Sequence, residues 1–541
     1  MVTSYLELTF YALFTFSVLN ALVYYMYLWQ AMEYRWDRMW DTFLTPSGKG
    51  KIFPALCVMQ VIFFILAICT YFLKDNRESF IFFGMLAFVF VFLEAVIRLF
   101  GHRLFRPDPT YKALFLMFVT LGIIGSIVTT IFIFSVLFYE RALLLFLLSL
   151  FVPDIHSVVV LAFEPLSRLL KGKIIERAKR KIASMPHLKV IGITGSYGKS
   201  STKEFLFQIL SQKCNVFKTP GNINVDIGVA QVVLKQLRDE HEIAIIEMGA
   251  YKKGEIKAIC DIVKPSMGVI TAVSDQHLSL FRSLENIKEA KYELVQSLPS
   301  HGKVFFNADS EGARELSQRA LQEGYEVQTY AINQTANCMA LHIQVKPDSI
   351  SFDIHGVKFN TGLCGKQHVA NLLAAILIAR ECGMHLKEIA KAVMHIFPPP
   401  RVMELKRSAS YGDALLVIDD SYNSNPEGAL AAIEHLKVFE GYKKICVFPG
   451  MRELGMKTDV EHIRVGEKIR DVCDFTIFTL SDYLEPLKIG LGKDYDEKNY
   501  TVIMSSQDDI LHAILEEVGE GRAVVLFESR GATQAMNKLL S

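Results

Sequence analysis

The stretch LKVIGITGSYGKSSTKEFLFQIL, residues 188–210, decides the fold. LKVIGI reads as a buried strand, and the residues after Gly198 carry the apolar spacing of a helix. Between them Gly195 and Gly198 allow a tight turn whose N–H groups point at an anion, with the helix N-terminus behind. Lys199 supplies charge for terminal phosphates, and the Ser200 hydroxyl suits a magnesium ion. A strict phosphate-loop pattern asks for glycine where Ile193 stands. What remains is the narrower TG(S/T)xGK(S/T)(S/T), covering Thr194, Gly195, Ser196, Tyr197, Gly198, Lys199, Ser200 and Ser201. Strand before and helix after make this a nucleotide-binding loop.

Downstream, short β-rich runs alternate with helical stretches, which predicts two α/β domains over 188–400 and 401–541. The first includes a β-rich stretch at 325–362. The second has strands near ALLVI, KICVF, FTIF and AVVLF and a Rossmann-like pattern.

Upstream, residues 1–165 hold the apolar excess of a chain that is 51% hydrophobic with a mean hydropathy of +0.27. Uncharged runs at Leu8–Met32, Ile52–Leu73, Ser79–Leu93 and Ala113–Tyr139 approach or reach bilayer length. The third does so if the helix continues past Glu94. A fifth run, Ala142–Phe163, is interrupted by Pro153, Asp154 and His156. Five spans with basic loops at 32–52 and 98–112 put everything after Phe163 in the cytoplasm. The expected architecture is therefore a helical membrane bundle in the plasma membrane, followed by two cytoplasmic α/β domains. No cleavable signal peptide is recognisable. Residues 166–187 join the two parts. There Leu170, Ile174, Ala178 and Ile182 recur among Arg168, Lys171, Lys173, Arg177, Lys179, Arg180 and Lys181. That pattern fits a basic amphipathic helix on an anionic leaflet, or a solvated linker helix. With 58 Lys+Arg against 57 Asp+Glu, the balance speaks against a nucleic-acid partner. Nine cysteines without a CxxC pair speak against a disulfide framework or zinc site.

Glu247 ends the apolar strand IAII, where a lone carboxylate is costly without a cation. It is either an ion-paired or capping residue or a magnesium ligand, and its place at the strand end favours the ligand. His277 follows MGVITAV at the same sheet edge, where open α/β sheets hold their ligands.

Several blocks in order resemble the Mur ligases, and most closely the branch that adds D-alanyl-D-alanine. They are the phosphate loop, TPGNINVDIG (219–228), IIEMGAYKKGEI (245–256), HLSLFRSLENIKEAKYEL (277–294), GKQHVANLLAA (365–375), PPR (399–401), DDSYNSNP (419–426) and PGMRELG (449–455). The resemblance implies an ATP-dependent amide ligase of cell-wall synthesis that works through an acyl phosphate. It implies two magnesium ions on Ser200, Glu247, His277 and Lys291, the last carrying a carbamate formed from carbon dioxide. Asn371 matches an adenine-reading asparagine, Arg401 an arginine that reaches the ATP phosphates, and Asp420 a ribose-holding residue. Tyr422, Asn423 and Asn425 match cleft residues, although S-x-N-P is also a turn former. The implied partners are a muropeptide acceptor, nucleotide- or lipid-linked, and an amino-acid or dipeptide amine.

The chain departs from the family pattern at several places. Gln367-His368 replaces His-Asn, Pro400 a glycine, Pro449-Gly450 Gly-Asp, and Phe527-Glu528 Lys-Gly. Membrane helices occupy the place of the small domain that holds uridine diphosphate. Two alternatives follow: another membrane-tethered amide ligase on a lipid-linked or non-wall substrate, or a nucleotide-regulated precursor transporter.

Overall fold

The computed structural model describes residues 2–36, 38–40, 61–63, 65–67, 69–70, 77–100, 107–274, 281, 283–300, 302–422, 424–451, 454–479, 482–492, 497–503, 506–528 and 530–541. Its contacts divide the chain into Met1–Leu170 and Lys171–Ser541.

In the first unit, four helices among the described residues are long and apolar enough to cross a membrane. They are α1 (Val2–Ala31), α2 (Arg77–Phe100), α3 (Tyr111–Phe134) and α4 (Phe138–Ala183). The expected span at 52–73 lies mostly outside the described residues. Phe10, Phe88 and Phe146 form an aromatic core between α1, α2 and α4, edge-to-face at Phe10–Phe88 and tilted at Phe88–Phe146. The expected interruption at Pro153 does not break α4, which runs on for 46 residues with Pro153 and Pro165 inside it. His156 is fully buried, its Nδ1 2.9 Å from the Thr120 hydroxyl, while Asp154 is exposed.

The second unit begins within the last turns of α4. Ala178 and Ile182 are buried, and Ile174 and Ile175 pack with them against Val190, Val229, Val233 and Leu237. Lys181 donates to the carbonyls of Leu237 at 2.7 Å and Leu234 at 3.3 Å. The apolar stripe read as lying on a leaflet is therefore spent on protein. Leaflet and protein surface ask for the same periodicity, so the pattern alone did not separate them.

The first α/β domain is built on strands β1 (Lys189–Thr194), β2 (Val216–Lys218), β3 (Ile243–Glu247), β4 (Met267–Ile270), β5 (Lys303–Asn307), β6 (Glu326–Ala331) and β7 (Cys338–Met339). They form a parallel sheet in the order β2-β3-β1-β4-β5-β6-β7. Period-two alternation assigns its faces. Ile191, Ile193, Ile243 and Ile245 pack on one side with α5 (Lys199–Leu210). Val190, Ala244 and Ile246 pack on the other with α6 (Asp226–Gln236) and α7 (Glu255–Val263). Helices α8 (Leu284–Gln296) and α9 (Glu311–Gln322) continue that second layer. The β-rich stretch expected at 325–362 holds β6 and β7. It continues into a separate antiparallel sheet of β8 (Leu341–Lys346), β9 (Ser349–Ile354) and β10 (Val357–Thr361). Helices α10 (Gln367–Glu381) and α11 (Leu386–Val393) close the domain.

The last domain is a six-stranded sheet in the order β11-β12-β16-β13-β14-β15, parallel except at β11. Its strands are β11 (Glu404–Ser408), β12 (Gly412–Asp420), β13 (Lys443–Phe448), β14 (Phe475–Phe478), β15 (Tyr500–Val502) and β16 (Ala523–Glu528). Helices α12 (Pro426–His435) and α13 (Thr458–Val472) cover one face, and α15 (Gln507–Val518) and α16 (Thr533–Leu540) the other; α14 (Leu484–Leu491) packs on α13.

Because Ile182 is buried and Arg177 exposed on the same helix, their truncations separate packing from charge. Ile182→Ala is expected to destabilise the Lys171–Ser541 part by about 2–4 kcal/mol, and Arg177→Ala by less than about 0.5 kcal/mol. Chemical denaturation of the detergent-solubilised chain reads both.

Candidate active site

The phosphate loop leaves β1 at Thr194, whose hydroxyl donates to the Met248 carbonyl at 2.9 Å and joins the loop to the end of β3. Ser196 N–H donates to the Ala272 carbonyl at 2.8 Å, and the Thr271 hydroxyl bonds the Tyr197 carbonyl. Gly198 then turns with φ +80°, and a Cβ there would come within 2.5 Å of Asn371 Oδ1. Only glycine meets both demands. Helix α5 follows, with Ser201 buried against the sheet. Lys199 folds over the loop, its ammonium 2.7 Å from the Gly195 carbonyl and 3.2 Å from that of Ser196. Burial lowers its pKa, opposed by the nearby Glu247 charge.

Glu247 closes β3 at 2% exposure, so its desolvation must be balanced by partners. Ser200 Oγ donates to its two oxygens at 3.1 and 3.0 Å, Lys203 Nζ to Oε2 at 3.1 Å, and Asn224 Nδ2 to Oε1 at 3.3 Å. Lys203 is itself fully buried and also donates to the Gly221 carbonyl at 2.6 Å. The cation that the buried carboxylate demanded is thus supplied within the chain. Lys203 and Asn224 were not singled out by sequence reasoning. The signal for Lys203 was its place four residues after Lys199, one helical turn along the same face.

Across the cleft stands Lys291 on α8, 5% exposed. Gly195, Ser196, Lys199, Asn224, Phe281 and Lys291 are among the residues lining this solvent-open cleft of about 400 Å³. Burial, reinforced by the charge of Lys199, holds the Lys291 pKa well below the usual lysine range. Burial, with Glu427 and Asp309 nearby, raises Tyr197 to about 12.

The donor set fits one magnesium ion. Ser200 Oγ and the Glu247 carboxylate lie side by side, a hydroxyl and a carboxylate of the kind that holds this ion together with phosphate oxygens. No group of three His, Cys, Asp or Glu side chains able to hold a metal occurs among the described residues. His277, expected at a second metal, lies outside them, as does Asn423. Unmodified Lys291 offers an amine or a cation, so a second magnesium would require its chemical conversion.

Asn371 sits on α10 beside the loop, its Oδ1 3.5 Å from the Thr202 hydroxyl. His368, one of the departures, is a core residue with its ring edge-on to Phe205, and burial depresses it to about 4. Arg401 has an exposed side chain on a left-handed backbone with φ +64°. Its carbonyl accepts from Tyr422 N–H at 3.0 Å. Asn425 is the N-cap of α12, accepting from Gly428 N–H at 3.0 Å ahead of Pro426. That is the turn-forming role.

Asp420 and Glu528 are register neighbours at the ends of β12 and β16, 9% and 1% exposed. Asp420 accepts from Met403 N–H at 3.1 Å, and Glu528 from the Ser424 hydroxyl at 2.8 Å. Burial raises both carboxyls, with the Asp419 charge adding to it at Asp420 and the Asp420 charge at Glu528: Asp420 is pushed up to about 7 and Glu528 well above its ordinary value. Sequence reading noticed Glu528 as a departure but not its partner.

The model of the Mur ligase middle domain matches residues 193–379, and that of the Mur ligase glutamate ligase domain matches 403–530. Together they take in more than half of the chain. The chain belongs to the Mur ligase family. Among its Mur ligase relatives is the UDP-N-acetylmuramoyl-tripeptide–D-alanyl-D-alanine ligase of Synechocystis, 33% identical over 283 residues. That match covers 52% of this chain and 60% of the relative. The Bacillus subtilis enzyme of the same name is 29% identical over 386 residues, 70% of this chain and 80% of its own. The crystal structure of MurF from Acinetobacter baumannii superposes with a TM-score of 0.61 at 25% identity, over 68% of this chain and 80% of that one. This Mur ligase thus shares the MurF fold in both α/β domains.

Two expectations follow from the geometry. Lys203→Met leaves Glu247 buried without its cation and should cost about 3–5 kcal/mol. Adding Glu247→Gln should recover part of that loss in denaturation. The carboxyl pair sets a pH dependence of known sign. Asp420 ionises at 3.8 in an unconstrained chain and at about 7 here. Between those values the folded protein keeps a proton that the unfolded chain has released. Its contribution to stability is therefore present at acid pH and is lost as pH rises toward 7. Asp420→Asn, which removes the titrating group and keeps an oxygen for Met403 N–H, should flatten that decline in urea denaturation across the window.

Proposed function

We propose that this Mur ligase is a membrane-tethered, ATP-dependent amide ligase that joins D-alanyl-D-alanine or a similar amine to a muropeptide carboxylate. The observation that carries the reading is the pairing, across one cleft, of the phosphate loop with its Lys199 and the buried Lys291, in a chain whose D-alanyl-D-alanine-ligase relatives match in both α/β domains. Those relatives act on UDP-N-acetylmuramoyl-tripeptide by name; the acceptor proposed here follows from that likeness.

An acceptor carboxylate oxygen attacks the γ-phosphorus of ATP, and the bond to the β-phosphate oxygen breaks, giving ADP and an acyl phosphate. The amine nitrogen then attacks the acyl carbon, phosphate leaves, and the amine loses a proton. Lys199, held against the loop carbonyls, is positioned to turn its donors onto phosphate oxygens. The loop N–H groups and the α5 N-terminus face the same charge. Magnesium on Ser200 and Glu247 would neutralise negative charge on the transferring phosphoryl group. Burial and the charge of Lys199 disfavour protonation of Lys291, which favours the amine form that takes up carbon dioxide, losing a proton to become a carbamate. Such a carbamate, with His277, would hold the second ion. Asn371 borders the nucleotide side of the loop, while Arg401, Asp420, Tyr422 and Asn423 are assigned to the lobe that closes on ATP.

The proposed location is the plasma membrane, with both α/β domains on the cytoplasmic side; four helices long and apolar enough to cross a membrane support it. A lipid-linked acceptor is the variant that such tethering favours.

The test is to offer detergent-purified protein ATP, D-alanyl-D-alanine and either UDP-linked or lipid-linked muropeptide, with mass spectrometry of the products. ADP, phosphate and a product extended by the dipeptide are expected, with Lys199→Ala reducing turnover at least about 100-fold. No ATP consumption with either acceptor would overturn the proposal.

A further inference from the structure

We propose that the outward face of the last turns of α4 binds the headgroups of anionic phospholipids through Lys173, Arg177 and Arg180. The orientation of this segment is fixed by packing. Ala178 and Ile182 are buried against the α/β domain, and the ammonium of Lys181 is taken up by the carbonyls of Leu234 and Leu237. At 100° per residue, Lys173, Arg177 and Arg180 fall on the opposite side of the helix. All three are exposed, as is Lys171.

The charge on this face is largely uncompensated. Glu176 is the single acid between residues 171 and 183, and it pairs with Arg180 at 3.4 Å in an exposed contact. Exposed pairs of this kind are weak. Lys171, Lys173, Arg177 and Lys179 form no ion pair with any described residue.

Chain position selects the occupant. The exposed leucines Leu166, Leu169 and Leu170 precede the first of these lysines in the same helix. At 1.5 Å per residue, Lys173 and Arg177 follow Leu170 by about 5 and 10 Å, on the cytoplasmic side of the last expected span, which ends at Phe163. Cations that follow a span on that side meet the negative surface potential of the inner leaflet. The apolar side of the helix serves the protein, and the cationic side serves the lipid. This division is the reverse of the arrangement in which the apolar stripe itself enters the leaflet.

The inference rests on the membrane-embedded reading above, and the test separates the two. The full chain is reconstituted in nanodiscs of mixed phosphatidylcholine and phosphatidylglycerol, released into detergent, and its retained lipids are quantified by mass spectrometry. Several-fold enrichment of phosphatidylglycerol over the bulk mixture is expected. It should largely vanish in Lys173→Gln/Arg177→Gln/Arg180→Gln and weaken at high salt. The charge-conserving Lys173→Arg/Arg177→Lys/Arg180→Lys should retain it, as should the distant control Lys387→Gln/Lys391→Gln. Equal enrichment in wild type and the triple glutamine variant would overturn the headgroup site. Failure of the chain to enter nanodiscs would instead overturn the membrane reading, and this inference with it.

Discussion

A carboxylate buried at the end of a parallel strand has to be neutralised locally, and the way Glu247 is neutralised organises the first α/β domain. Its partners come from three places: Ser200 and Lys203 on α5, Asn224 ahead of α6, and the Thr219 hydroxyl, which accepts from the Glu247 N–H at 3.0 Å. Moving α5 would leave the buried charge without its counterpart Lys203, a larger cost than most single contacts supply, and moving the others would remove a hydrogen bond from the same strand end. The phosphate loop is held between β1 and α5, so its shape is set by the same cluster. Lys203 turns its ammonium to Glu247, whereas Lys199, one turn earlier on the same helix, folds over the loop and faces the cleft.

The consequence is electrostatic. Two lysines line the cleft, and the nearest carboxylate is already engaged by Ser200, Lys203 and Asn224. A cleft of this kind gains by receiving anions, and the charge of Lys199 makes protonation of Lys291 less favourable. The chemistry of Lys291 is therefore governed first by its burial and then by the charge of a lysine more than ninety positions away in sequence.

That dependence also explains what the sequence disclosed. The phosphate loop was legible because strand, glycines, lysine and helix are contiguous and each has a local reason to be there. The strands at ALLVI, KICVF, FTIF and AVVLF were legible by their apolar runs, whereas β15, with three residues, and the edge strand β11 carry too little apolar signal. Lys203 was hidden because a lysine in a helix is ordinarily a solvated residue, and only the tertiary approach of β3 buries it. Asn425 carried two compatible meanings, and the structure assigns it a capping bond. The stripe at Ile174, Ala178 and Ile182 was read correctly as amphipathic, but periodicity states only that an apolar face is covered. It does not name the cover.

The departures at the far strand end follow the same logic of non-local charge. Where the family pattern has Lys-Gly, this chain has Phe527 packed into the core with Ile510, Ile514 and Met536, and Glu528 beside Asp420. Removing a cation and adding a carboxyl at a buried strand end would be prohibitive if both acids had to ionise. It becomes tolerable because burial holds both carboxyls above the ordinary carboxylate range, with Met403 N–H and the Ser424 hydroxyl bonding one oxygen of each. The same bonds tie the left-handed turn at Arg401 and Met403 to the end of β12, so the entry to the last domain and its acid pair form one unit. A change in the protonation of that pair is therefore felt first at the segment joining the two α/β domains.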